Sequence, residues 1–189
     1  VYEGDWKNGK FHGKGKLTDA DGNVYYEGDF AKGKFDGKGK LTYSNGDVYE
    51  GDWVDDMVAG KGKYIYANGD VCEIDWDSDK CTRKVRYVYT SGDVYEGDLV
   101  GNKRIGKGKL TYANGAVYEG DWLNDKRTGK GKFTWADGDV YEGDWVDGVC
   151  TGKGKFTWGR GQWNGSVYEG DFVDGKRTGK GKLISANGD

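Results

Sequence analysis

The chain has no proline, a single histidine and a single methionine, and its apolar residues are thinly spread. Without proline, every backbone N–H is free to join a hydrogen-bonded ladder. With His12 alone, no histidine triad, histidine pair or zinc cluster can be assembled from this chain, and hydrolytic chemistry loses its usual base. Hydrophobic residues make up 35% of the 189 positions and mean hydropathy is -0.89, low for a thick two-layer core, so a thin elongated body fits better. No apolar run is long enough to cross a membrane, and no secretory signal is present. A repeating pattern is already running at Val1, so the chain reads as an excerpt of a longer protein.

Neither sign of charge is in excess. The 29 basic and 32 acidic residues leave a net charge of -3, unlike the basic domain of a nucleic-acid binder. Cysteine is scarce and odd in number: Cys72, Cys81 and Cys150. Cys81 and Cys150 occupy the same slot of different repeats, three hairpins or roughly 29 Å apart, far beyond disulfide reach. Free thiols in a reducing, cytoplasmic compartment follow.

What the chain has in quantity is glycine, 36 residues, and aromatic residues, 15%. They are arranged in one unit: V-Y-E-G-D-W, a polar turn, then G-K-G-K-(L/F/Y)-T-(Y/W) and A-N-G-D. The unit is written eight times, from Val1, Tyr25, Val48, Val71, Val94, Val117, Val140 and Val167, usually every 23 residues. Periods of this size mean a tandem array whose copies bury their faces against one another.

In Val48-Tyr49-Glu50-Gly51-Asp52-Trp53, alternation sends Tyr49, Gly51 and Trp53 to one face and Glu50 and Asp52 to the other. In Gly60-Lys61-Gly62-Lys63-Tyr64-Ile65-Tyr66, the glycines and tyrosines share a face opposite Lys61 and Lys63. The aromatic sets meet only if one connection is even and one odd. An even loop of four, Asp55 to Val58, and an odd loop, Ser44-Asn45-Gly46 with a left-handed glycine, satisfy this. The expected product is all-β, an elongated single-layer antiparallel meander of about sixteen strands forming a twisted open sheet. One face carries rings lying over glycines. On the other, Glu50 and Asp52 are expected to meet Lys61 and Lys63.

This pattern resembles the MORN repeat, the membrane occupation and recognition nexus, over the whole of residues 1–189. The resemblance implies a β-hairpin array like those of junctophilins, plant phosphatidylinositol-phosphate kinases, alsin, radial-spoke head proteins, SET-domain methyltransferases and cytoskeletal scaffolds. These share a module without sharing an activity.

The chemistry suggested by single motifs is better explained by structure. The repeated Glu/Asp pairs face lysines and read as a salt-bridge ladder, not an acid–base pair. Gly101 to Gly108 has glycine where a phosphate loop needs Ser or Thr, and no helix follows. Asn164-Gly165-Ser166 fits a glycosylation sequon without secretory support. No catalytic residue, metal ligand or cofactor site is expected.

The leading function is a non-enzymatic scaffold or adaptor that holds a partner peptide or helix along an aromatic groove formed by Tyr49, Trp53, Tyr95, Tyr118, Trp122, Tyr141, Trp145 and Tyr168. The alternative for those rings is a thin core, and both readings can hold together. A second function is peripheral attachment to anionic phospholipid through a basic row at the turns: Lys103, Arg104, Lys126, Arg127, Lys176 and Arg177, weakened by Asp125, Asp147 and Asp174. A third is a regulatory appendage of an enzyme domain outside this chain. Unpaired terminal strands would favour homo-oligomers.

Three departures stand out. Repeat four has Cys72, Ile74, Arg83 and Val85 in aromatic-face slots. They either reflect tolerated drift or fill the groove there. The extra residue in Tyr25-Tyr26 demands a bulge to preserve parity. The insertion from Trp158 to Ser166 is expected to extend a loop with Trp163 exposed.

Overall fold

The computed structural model describes residues 1–76 and 83–187, with only the backbone described at Trp76, Arg83 and Lys84. Among these residues there are sixteen strands, one short 3₁₀ turn at Gly161–Trp163 and no α-helix. No helix among them is long and apolar enough to cross a membrane. The chain divides into two compact units, Val1–Thr90 and Ser91–Asp189.

The first unit holds β1 (Tyr2–Lys7), β2 (Lys10–Thr18), β3 (Val24–Ala31), β4 (Lys34–Thr42), β5 (Val48–Val54), β6 (Met57–Ile65), β7 (Val71–Trp76) and β8 (Arg83–Val88). The second holds β9 (Val94–Val100), β10 (Lys103–Thr111), β11 (Val117–Leu123), β12 (Lys126–Thr134), β13 (Val140–Val146), β14 (Val149–Thr157), β15 (Val167–Val173) and β16 (Lys176–Ile184). Within each unit strand order follows chain order and each described pairing is antiparallel, the meander expected of hairpin repeats.

The β5–β6 hairpin shows how the unit folds. Its turn is two residues, Asp55 and Asp56, with φ of 49° and 68°, the left-handed pair of a type I′ turn. The four-residue loop expected from Asp55 to Val58 is therefore corrected: Val54 pairs with Met57 and Trp53 with Val58. Parity survives because two further residues are absorbed inside β6. Gly51 pairs with Gly62 but Asp52 pairs with Ala59, leaving Gly60 and Lys61 bulged. Gly60 takes φ +50°, and the Lys61 N–H turns to Asp52 Oδ2 at 3.0 Å. The return connection from β4 is the odd loop expected: Gly46 N–H donates to the Tyr43 carbonyl, Tyr43 N–H to the Asp47 carbonyl, and Gly46 has φ +89°.

The other insertions are also absorbed. Leu17 pairs with Tyr26 and Thr18 with Val24, so Tyr25 is the expected bulge. The long connection from Trp158 closes through Trp158 N–H donating to the Ser166 carbonyl and leaves Trp163 exposed.

The core of each unit is made of rings. Tyr26, Tyr49, Tyr95, Tyr118 and Tyr141 are fully buried, and Trp53, Trp122, Trp145, Phe30 and Phe172 nearly so. Each such side chain contributes roughly 1.5–3 kcal/mol on burial, which is how a chain of low mean hydropathy obtains a core. In repeat four Cys72, Ile74 and Val85 are buried. The side chain of Arg83 and the whole of Cys81 lie outside the described residues, while Cys150 is a half-buried free thiol.

Candidate interaction faces

Tyr49 and Trp53 lie on the same side of one strand, which lets one ring meet the edge of the other. Their centroids are 5.1 Å apart at 87°. Tyr118 with Trp122 and Tyr141 with Trp145 repeat this at 5.1 and 5.3 Å. The polar ends of these rings are satisfied by backbone. Tyr49 donates to the Asp52 carbonyl at 3.1 Å, and Trp53 Nε1–H to the Gly39 carbonyl at 3.2 Å. Trp122 and Trp145 reach Gly108 and Gly131 in the same way at 3.1 and 3.0 Å. Burial is the largest influence on Tyr49 and Tyr118, pushing both phenols up to about 12.

Of the eight rings singled out from sequence, seven are buried and Tyr168 is half-buried. They form the floor of the aromatic face. Its accessible layer is a second row of rings, from the last strand residues and the turns beyond. In the first unit Tyr43, Tyr64, Tyr66, Tyr87 and Tyr89 follow one another at 6.4, 6.2, 5.7 and 4.5 Å between centroids. In the second, Tyr112, Phe133, Trp135, Phe156 and Trp158 do so at 5.9, 4.6, 5.7 and 5.0 Å. Trp163 adds to its end, 6.2 Å from Trp158. Most of these rings are half-buried; Tyr64 meets the floor at Tyr49, 4.7 Å between centroids, and the buried Phe133 meets it at Trp145, 6.3 Å. The signal for this row was the second aromatic of the K-(L/F/Y)-T-(Y/W) stretch, two residues beyond the first and on the same face.

The basic residues of the turns are not one row. Arg104, Arg127 and Arg177 lie on the aromatic face, above Trp122 at 4.3 Å, Trp145 at 4.5 Å and Trp158 at 5.0 Å. Arg104 also pairs with Asp125 at 3.1 Å, and Arg127 donates to the Gly148 carbonyl at 2.7 Å. Of the lysines, Lys126 pairs with Asp147 at 3.0 Å, while Lys103 and Lys176 are exposed at their turns.

The opposite face carries the charges, paired differently from the expectation. Asp52 faces Lys38 on β4 and forms an ion pair with it; it does not pair with the Lys61 side chain. The reason is the bulge, which points the Lys61 N–H at Asp52 and aligns Lys61 with Asp75 of β7. The same clamp recurs as Lys14–Asp29, Lys107–Asp121, Lys130–Asp144 and Lys153–Asp171, at 2.5 to 2.7 Å. The lysine ammonium first, and then the bulge N–H, hold the carboxyls of Asp29, Asp52, Asp121 and Asp144 below the usual range. Glu50 sits opposite Lys40 and Lys63, and glycines line an open groove of about 800 Å³ in the first unit and about 1160 Å³ in the second. Among the described residues no three His, Cys, Asp or Glu side chains gather as a metal site would need.

The MORN repeat profile matches residues 2–24, 26–48, 49–71, 95–117, 118–140, 141–164 and 168–189. The chain belongs to the MORN repeat family. The MORN segments leave out 72–94, the repeat in which Cys72 and Ile74 replace tyrosine and glycine. No curated protein matches the chain. Among solved structures, this MORN array is similar to the TCP domain of Drosophila melanogaster SAS-4 (dCPAP) in complex with a proline-rich motif of Ana2 (dSTIL). The identity is 19%, over 93% of this chain and 86% of that one, with a TM-score of 0.52. The likeness is one of fold. The TCP10 domain of Danio rerio CPAP, in complex with a peptide of Danio rerio STIL, is 15% identical over 92% and 84% of the two chains, with a TM-score of 0.36, a much looser match.

Proposed function

We propose that this chain is a non-enzymatic interaction module that holds an extended, proline-rich peptide of a protein partner across the strands of its aromatic face. The observation that carries the reading is the outer row of half-buried rings, with the buried Tyr49, Trp53, Tyr95, Tyr118, Trp122, Tyr141 and Trp145 and the half-buried Tyr168 as its floor. Two strands per hairpin, at about 4.8 Å each, make the row recur every ~9.6 Å. A polyproline II ligand turns once per three residues, about 9.3 Å, so one prolyl face meets successive hairpins with little drift. Such a ligand is already extended, and aromatic-lined grooves are its usual receptors. The proline-rich motif bound by the SAS-4 TCP domain, a relative in fold, supports the same class of ligand.

Lipid attachment is the weaker reading, because Arg104, Arg127 and Arg177 lie on rings and Arg104 and Lys126 are paired with aspartates. The test is titration of a labelled proline-rich peptide beside sedimentation with anionic vesicles. Peptide binding that weakens at least about tenfold in Tyr66→Ala or Trp135→Ala, with melting temperature kept, supports the module. Binding untouched by both changes, or retention on vesicles at physiological salt without peptide binding, overturns it.

A further inference from the structure

Successive turns on one edge are stapled by a carboxylate. Asp47 Oδ1 accepts from Ala67 N–H, Asp70 from Thr90, Asp93 from Ala113 and Asp139 from Gly159, each at 2.8 Å. Ser166 Oγ does the same for Ala186 at 3.2 Å. The residue just before the V-Y-E-G-D strand thus lends an acceptor to the next repeat's turn. Asn23 fills this slot but is turned to Asp19, with which it shares two hydrogen bonds.

At Ala116 the slot is occupied by a residue with no acceptor. The turn around it is otherwise unchanged: Ala116 N–H donates to Asn114 Oδ1 at 3.0 Å, as Asp47 N–H does to Asn45 Oδ1. Only the carboxylate is missing, and Ala136 N–H, the equivalent of Ala67 N–H, has no acceptor among the described residues. A cavity of about 500 Å³ opens where the staple would stand, lined by Ala116 and Ala136 and walled by Tyr112 and Trp135.

Two arginines also line it. Arg160 is fixed there by Nε–H to the Asp137 carbonyl at 2.5 Å and by its η2 nitrogen to the Ala136 carbonyl at 3.4 Å. Arg127 is held over Trp145, with one donor spent on Gly148. Neither forms an ion pair with a carboxylate among the described residues. Asp137, also in the lining, is turned to its own loop, where Oδ1 accepts from Asp139 N–H at 3.3 Å.

We infer that this cavity is a subsite for a carboxylate on the bound peptide, an Asp or Glu side chain that supplies the acceptor Ala116 lacks, beside the outer ring row. The Ala136 N–H and the Arg160 guanidinium, fixed beside it on the Asp137 and Ala136 carbonyls, supply charge-assisted donors, Arg127 lies farther along the same groove, and the rings on either side take the residues flanking the acid. That a peptide brings the carboxylate rests on the function proposed above; that the cavity takes a carboxylate does not.

The experiment separates the two. The ¹⁵N–¹H resonance of Ala136 is followed during titration with sodium propionate, in the whole chain and in Ala116→Asp, which restores the array's own staple. A saturating shift in the parent, absent in the variant, is expected; a flat response in the parent, or the same response in both, overturns the subsite whatever peptides do. Two capped polyproline peptides, one with a central aspartate and one with asparagine there, are then compared. The aspartate peptide is expected to bind about tenfold more tightly, the ratio falling to about one in Ala116→Asp and in Arg160→Gln. Equal, measurable binding of both peptides to the parent overturns the subsite while leaving the peptide module standing.

Discussion

The Tyr49 ring lies over Gly62 on the neighbouring strand so closely that a Cβ there would meet the ring's Cε2 at 2.5 Å. Gly62 pairs with Gly51, whose own Cβ would meet the Gly62 Cα at 2.5 Å. The two glycines therefore make the space in which a fully buried tyrosine is seated. Gly62→Ala is expected to destabilise the first unit by about 1–3 kcal/mol through overpacking, and Tyr49→Phe by about 1 kcal/mol through loss of its bond to the Asp52 carbonyl. Urea titration of both variants checks this; an unchanged midpoint for Gly62→Ala would mean that the ring is free to move away.

Acid attacks the opposite face. The carboxyls of Asp29, Asp52, Asp121 and Asp144 are held below their usual range by lysine ammoniums and by bulge N–H groups. A carboxyl depressed in the folded state stabilises the fold above its unfolded value near 3.9 and ceases to as pH falls through the folded value. Melting temperature is expected to be level near neutrality and to drop below about pH 4. Lys38→Met should make the drop shallower, since Asp52 then retains only the Lys61 N–H. A slope identical to the parent's would show that the ion pair contributes nothing.

Alkali acts on the rings. Tyr49 and Tyr118, pushed up to about 12 chiefly by burial, ionise in the folded state well above the ordinary phenol value of about 10. The sign is opposite to that of the aspartates: stability is full below the unfolded value and is lost as pH rises through the folded one. Unfolding is therefore expected between about pH 10 and about pH 12, with part of the tyrosine absorbance change coinciding with loss of β circular dichroism. Tyrosines that all titrate near 10 with the sheet intact would contradict the buried floor.

How far these features could be read from the residues follows from the range of the interactions. Alternation placed Tyr49 and Trp53 on one face, and parity required the bulge at Tyr25 and the left-handed Gly46, because each is a count along a few residues. The two-residue turn at Asp55-Asp56 was hidden because shortening the loop by two and bulging Gly60-Lys61 preserves the same parity. That exchange also moved Asp52 from the Lys61 side chain to Lys38. Stacking of Arg127 on Trp145 joins side chains of different repeats, and the gap at Ala116 shows only when its neighbours' cross-turn bonds are known.

Arg127 offers the sharpest test of whether the turn cations serve the aromatic face or a membrane. Its guanidinium stands 4.5 Å from the Trp145 ring and 5.3 Å from Phe133, and one N–H is spent on the Gly148 carbonyl at 2.7 Å. Lysine at this position keeps the charge but loses the planar group that stacks and reaches the carbonyl together. Arg127→Lys is expected to cost about 0.5–2 kcal/mol in stability and to alter Trp145 fluorescence. A surface role predicts the reverse, since head groups respond to charge and tolerate lysine. Paired measurement of urea midpoint and vesicle sedimentation decides between them: unchanged stability with lysine, and vesicle binding lost only with Arg127→Gln, would return this residue to the membrane.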